Sequence, residues 1–178
     1  IFITHDLDEA LRLGDRIAIL KDGRLVQEGT PVDILLNPAN DYVEAFVKDV
    51  NRARALNVAT VMKPPSCRIT ADTLGEALAQ MKSMPGDYGY YINHEGYQGV
   101  VSQKQLQEAA EQDAQQPMGV EMLVNSDSIL PDALLESVLP GTLESAYPLP
   151  VVNAAGDLQG ELSRASLAQV LSDPQATS

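Results

Sequence analysis

The chain is 178 residues long, with 25 acidic and 12 basic side chains, a net charge of −13 and an apolar fraction of 44%. That length accommodates one to two compact domains, and the acidic balance excludes the basic stripe a nucleic-acid binder needs to neutralise phosphates. No apolar run approaches the roughly 20 residues that span a bilayer, no basic-then-apolar leader opens the chain, and the single Cys67 rules out an internal disulfide and fits a reducing compartment.

Ile1-Phe2-Ile3 run into Thr4-His5-Asp6, and Leu7, Ala10, Leu11 and Leu13 follow at helical spacing. The pattern predicts a buried strand that presents the His5 imidazole at its C-terminal end, where α/β sheets place ligands, and then a helix. Asp6 and Glu9 are placed to favour that helix's N-terminus. Two short apolar strands flank Lys21-Asp22-Gly23-Arg24, where Asp-Gly marks a hairpin turn. Thr30 as N-cap and Pro31 at the first helical position start a helix that buries Ile34, Leu35 and Leu36, and Asn37-Pro38 stops it. A further helix from about Asp41 carries Tyr42, Val43, Phe46 and Val47 on one apolar face.

In this order, the histidine, hairpin, Thr-Pro helix and Asn-Pro break resemble the switch region of ABC-transporter ATPases and the segment after it. The string Asn37-Pro38-Ala39-Asn40-Asp41-Tyr42-Val43 is similar to the ATP-binding subunit of the glycine betaine/L-proline importers. The resemblance covers residues 1–50 and implies that His5 is the switch histidine, in contact with the γ-phosphate of ATP. A ring nitrogen donating to a phosphate oxygen and orienting the attacking water suits a reaction that depends on positioning and electrostatics. The family's phosphate loop, signature motif and Mg²⁺-binding acidic strand fall outside these residues. ATP with Mg is therefore the implied cofactor, held mostly elsewhere, and this chain alone is expected to hydrolyse nothing.

A repeat follows. Leu74, Ala77 and Leu78 match Leu130, Ala133 and Leu134 at an offset of 56, and Tyr91 through Gly96 match Val151 through Gly156 at 60. Gln98-Gly99-Val100-Val101-Ser102 and Leu106 match Gln159-Gly160-Glu161-Leu162-Ser163 and Leu167 at 61. Each copy reads as helix, strand, Gly-containing turn, strand, helix. This is similar to a pair of cystathionine-β-synthase (CBS) modules, which the same importer subfamily carries after its ATPase. Such pairs often bind adenosine nucleotides through a Gly-x-x-Thr/Ser-x-x-Asp pattern, which implies a nucleotide-cleft role for Ser102 and Ser163. Gln105 and Ser166 stand at the Asp position, which removes the charge-assisted bonds to a ribose and puts ordinary ATP or AMP binding in doubt. A cyclic dinucleotide stays open as a ligand.

Other residues read more simply. Tyr88, Tyr90, Tyr91 and Tyr97 crowd the first module's strands and suit core and module–module packing better than a stacking platform. His94 sits in a turn without a matched histidine and is expected to be exposed, and Cys67 reads as a small, partly buried residue beside a strand. No metal-ligating set is read. Residues 117–178 hold eight acids against Arg164 alone, whereas Arg52, Arg54, Lys63 and Arg68 lie between Asp49 and Asp72 with no acid among them. These four bases are the candidate regulatory segment, free to meet either a lipid surface or the acidic module, with contacts that weaken as salt rises.

The expected fold is α/β: the C-terminal piece of an ABC ATPase domain at 1–50, a linker at 51–56, CBS modules at 57–116 and 117–175, and a tail at 176–178. The resemblance implies ATP-driven uptake of glycine betaine, proline betaine or proline, with a regulatory CBS pair. It also implies a membrane permease, an extracytoplasmic solute-binding protein and a second copy of the ATPase subunit as partners, no nucleic acid, and a place at the cytoplasmic face of the plasma membrane. Two alternatives stand beside it: a non-enzymatic sensor of adenine nucleotide or cyclic dinucleotide, and an ABC ATPase for a different solute.

Overall fold

The computed structural model describes residues 1–125 and 127–171, save the side chain of Arg12. The expected tail at 176–178, and residues 172–175 of the expected second module, lie outside them. The chain divides into two compact units, one holding Ile1–Val61, Asp132–Leu139 and Ala165–Ser178, the other Met62–Pro131 and Pro140–Arg164.

The first unit opens with a correction. Ile1, Phe2 and Ile3 form no strand and stand exposed, and His5 lies in an exposed bend rather than at the end of a sheet strand. A buried parallel strand depends on ladder partners beside it and apolar cover on both faces. Among the described residues no strand pairs with this segment. The helix that follows does form, as α1 (Leu7–Leu13), with the Asp6 carboxylate accepting from the Glu9 N–H at 3.2 Å and the Thr4 hydroxyl donating to Glu9 at 2.9 Å. The hairpin is β1 (Ile17–Lys21) and β2 (Arg24–Gly29), closed by Asp22 and Gly23 with φ of 51° and 74°. Two positive values make the tight turn whose twist matches the strands it joins.

Thr30 and Asp33 form a reciprocal cap on α2 (Pro31–Leu36): the Thr30 hydroxyl accepts from the Asp33 N–H, and the Asp33 carboxylate accepts from the Thr30 N–H at 2.9 Å. The bonds from Thr30 hold the Asp33 carboxyl below its ordinary range. Asn40 caps α3 (Asp41–Val47), which buries Val43 and Val47 while Phe46 remains exposed, its ring stacked on Tyr42. The Gln27 side chain spans the break between these helices, donating to the Asn37 carbonyl at 3.0 Å and accepting from the Ala39 N–H at 2.8 Å. Residues 51–61 are two helical turns, α4 (Arg52–Ala55) and α5 (Val58–Val61), with Ala53, Leu56, Val58 and Val61 buried.

The second unit begins with β3 (Arg68–Ile69), α6 (Leu74–Lys82), β4 (Tyr88–Asn93), β5 (Gly96–Ser102) and α7 (Gln103–Gln112). A 3₁₀ turn at Val120–Met122 leads into β6 (Leu123–Asn125), and α8 (Leu135–Glu144), β7 (Leu149–Val152), β8 (Leu158–Leu162) and α9 (Arg164–Leu171) follow, α8 and α9 each carrying residues of both units. One sheet runs β3-β4-β5-β6, with β3 parallel to β4 and the other pairs antiparallel. The second, β7-β8, repeats that order through two isolated bridges: Ile129 parallel to Val151, and Lys63 antiparallel to Glu161.

The repeat therefore has one register. Arg68 pairs with Tyr90 and Ile129 with Val151, both 61 residues on, and α6 and α8 begin at Leu74 and Leu135 with the same spacing. The offset of 56 expected for the first helix is incorrect. Leu130 and Leu134 are half exposed and precede α8, whereas Leu135, Val138 and Thr142 take the buried places of Leu74, Ala77 and Met81. The chain turns at residues 131–132 and Leu134 bridges to Asn57, so the helix begins only at Leu135.

Packing in this unit separates into two clusters. Ile69, Leu74, Ala77, Met81, Tyr91, Val101 and Leu106 form the core of the first module. Tyr90, Val100, Val152 and Leu158, with Tyr88, Tyr97 and Tyr147 against them, join the two sheets. The tyrosines thus pack within and between the sheets, with ring centroids 5.5–6.4 Å apart at offset angles. His94 is exposed and Cys67 is buried, where desolvation raises its thiol pKa.

Candidate functional site

The two sheets exchange their fourth strands. β6, which leads into the second copy, pairs with β5 of the first; Lys63, which leads into the first copy, pairs with β8 of the second. Each crossing passes directly over a glycine. A Cβ on Gly99 would lie 2.8 Å from the Asn125 carbonyl oxygen, and one on Gly160 would lie 2.7 Å from that of Lys63. Both glycines of the Gly-x-x-Ser pattern are thereby required by backbone close to backbone, independently of any ligand.

The serines of the pattern differ from each other. Ser102 is buried at the start of α7, where its hydroxyl makes no cap bond to the helix. Ser163 is half-buried and has bonding partners. Gln105 is exposed, but Ser166 is only 2% exposed, so a carboxylate at that second position would carry a heavy desolvation cost.

The main departure between the two crossings is Glu161, a residue that sequence reasoning passed over as part of a repeat match. Its partner by position is Val100, yet Glu161 is 7% exposed. Its carboxylate accepts from the Ser66 N–H at 2.8 Å, the Ser66 hydroxyl at 2.6 Å and the Tyr88 hydroxyl at 3.2 Å. Burial first, and then the Glu161 charge, push the Tyr90 hydroxyl far above its usual range; burial likewise raises Tyr88 and Tyr97. A carboxylate in a strand otherwise matched to valine was a signal available in the sequence.

Each of the four bases has its own contacts. Arg52 donates to the Val170 carbonyl at 3.0 Å, and Arg54 pairs with Glu136 at 2.9 Å, both within the first unit. Arg68 donates to the Leu158 carbonyl at 2.9 Å in the second unit, and the exposed Lys63 engages through its backbone. Three of the four side chains meet residues of the acidic stretch 117–178. Among the described residues none is brought to the exposed His5 as a hydrogen-bond or ion-pair partner. Among the described residues no His, Cys, Asp and Glu cluster has the makings of a metal site, and no helix is long and apolar enough to cross a membrane.

Two sheets with exchanged fourth strands, related by a constant repeat and flanked by helices, define a CBS domain pair. Solved structures share the fold: a CBS domain pair/ACT domain protein of Thermotoga maritima (TM-score 0.53, 20% identity, 69% of this chain and 100% of that one) and Staphylococcus aureus OpuCA (TM-score 0.51, 18% identity, 62% and 94%). No protein-family model matches the chain. Curated relatives are more similar in sequence. The glycine betaine transport ATP-binding protein OpuAA of Bacillus subtilis is 34% identical over 170 residues, 94% of this chain and 40% of the relative. The glycine betaine/proline betaine transport system ATP-binding protein ProV of Salmonella typhimurium is 35% identical over 178 residues, 96% and 44%. The choline transport ATP-binding protein OpuBA of Bacillus subtilis is 36% identical over 188 residues, 97% and 47%. The chain is a homologue of the ATP-binding subunits of ABC importers for betaines and related solutes. It spans less than half the length of the curated relatives it matches.

Proposed function

We propose that the chain is part of the ATPase subunit of an ABC importer for compatible solutes, with the CBS pair regulating ATP-driven uptake. The observation that carries this reading is homology at 34–36% identity across 94–97% of the chain to subunits whose names all denote ATP-binding in solute transport. Their named solutes, glycine betaine, proline betaine and choline, share a quaternary ammonium group, and that chemistry is the proposed substrate class. The expected proline uptake remains a proposal on the same footing. The partners that follow are a membrane permease, an extracytoplasmic binding protein and a second ATPase subunit, at the cytoplasmic face of the membrane. ATP with Mg is the cofactor, His5 contacts the γ-phosphate in the complete subunit, and this chain alone is inactive. The division at residues 50, 56, 116 and 175 is proposed with it.

His5→Ala in the complete subunit is expected to lower ATP turnover by on the order of 10²-fold or more, as for the loss of one preorganised donor, with ATP affinity nearly unchanged. Hydrolysis at the unsubstituted rate would remove His5 from the mechanism. A second reading, a non-enzymatic pair that senses an adenine nucleotide or a cyclic dinucleotide at Ser102 and Ser163, is supported by the buried, uncapping Ser102 hydroxyl at a helix start. For regulation by ionic strength, the proposed elements are Arg52, Arg54, Lys63 and Arg68.

A further inference from the structure

We propose that Glu161 is a clasp: one residue closes the leading segment Met62–Cys67 onto β8, and its release is how that segment opens. Glu161 holds both ends of the segment. Its backbone exchanges two hydrogen bonds with Lys63, N–H to carbonyl at 2.8 and 3.0 Å, and its carboxylate takes the Ser66 N–H and hydroxyl. Between those anchors stand Pro64 and Pro65, which have no N–H to donate. The Tyr88 hydroxyl supplies a third donor, so the buried charge is held by three bonds rather than left bare.

Comparison of the two crossings shows that the carboxylate is not needed to build the fold. At the first crossing Val100, 2% exposed, occupies the same place beside β6, and the strand pairs there without a charged side chain. A buried carboxylate at one crossing only makes the second crossing conditional: secure while all three donors face it, loosened by whatever draws the charge away. The location gives that condition a consequence, because Met62 is where the chain leaves the first unit, directly after α5. The clasp is a property of the pair's own geometry and does not depend on the importer reading.

Cys67, the sole cysteine, ends the segment at 1% exposure and reports its opening. Labelling of Cys67 with an aromatic disulfide reagent in the whole chain under native conditions, and across a urea series, separates local from global opening. Glu161→Gln keeps the shape and removes the charge, and is expected to raise the labelling rate at least tenfold with little urea dependence, while the global unfolding midpoint moves far less. Ser66→Ala, a milder change that leaves the carboxylate in place, is expected to raise the rate severalfold and serves where the first variant does not fold. Unchanged labelling in the folded variants, or a rise matching the loss of global stability, would show Glu161 to be an ordinary structural residue and overturn the clasp.

Discussion

Replacing Gly160 with alanine tests whether the glycine serves the strand crossing or a ligand. The added Cβ would meet the Lys63 carbonyl oxygen at 2.7 Å and the Met62 sulfur at 3.0 Å. The methionine side chain can swing aside, but the carbonyl is backbone, held by the Glu161 N–H at 2.8 Å. Moving it sacrifices the two Lys63–Glu161 bonds, about 0.5–1.5 kcal/mol each, and overpacking adds about 1–3 kcal/mol. The expected loss is roughly 2–6 kcal/mol, and Gly99→Ala, 2.8 Å from the Asn125 carbonyl, should cost a similar amount. Gly141, in α8, is the control, because its nearest neighbour is the Leu149 side chain at 3.8 Å. Alanine there should stabilise the helix by up to about 1 kcal/mol. Tyrosine fluorescence in urea is the assay, since Tyr88, Tyr90, Tyr91, Tyr97 and Tyr147 all lie in the second unit. Losses below about 0.5 kcal/mol at both Gly99 and Gly160 would refute the crossing argument and return these glycines to a ligand-binding role.

Two further outcomes follow from the electrostatics. Burial raises the hydroxyl pKa of Tyr88, Tyr90, Tyr91 and Tyr97, so above about pH 10 the unfolded chain releases protons that the folded one retains. Stability from these groups is complete below about pH 10 and falls as pH rises beyond it; a urea midpoint constant from pH 9 to 11 would contradict their burial. The Arg54–Glu136 pair is 63% and 49% exposed, so a double-mutant cycle with Arg54→Gln and Glu136→Gln should give a coupling of about 0.2–1 kcal/mol. The coupling should vanish near 1 M salt, and one that persists there would mean the pair is shielded in solution.

Local chemistry was the part of the fold legible from sequence. Thr30 and Pro31, the Asp22-Gly23 turn, and the Asn37-Pro38 break all act within a few residues, and each element they predict is present. What failed needed partners distant in the chain. Ile1-Phe2-Ile3 has the composition of a buried strand, but burial belongs to a sheet, and no neighbouring strand is present among the described residues. The slip to an offset of 56 has a similar origin: Leu130, Ala133 and Leu134 reproduce the spacing of Leu74, Ala77 and Leu78, and spacing alone does not reveal the Leu134 bridge to Asn57, distant in the chain, that precedes the helix. Ile129 and Lys63, each a single bridge, disclose the true repeat only through what they pair with.

The candidate site divides along the same line. Gly99, Ser102, Gly160 and Ser163 were found by their pattern, but that pattern conflates two demands, because the crossings require the glycines whether or not a phosphate ever approaches the serines. The four bases were found as a run without acids, a property of sequence, whereas in the fold they have separate tasks. Arg54 pairs with Glu136 at 2.9 Å, while Arg52 and Arg68 donate to backbone carbonyls. An exposed pair contributes at most about 1 kcal/mol, less than the 1.4 kcal/mol that corresponds to a tenfold shift. Ionic strength acting through Arg54 alone therefore produces a graded change of a few-fold. A steep response requires several exposed charges acting together, because a buried group such as Glu161 is screened far less by salt.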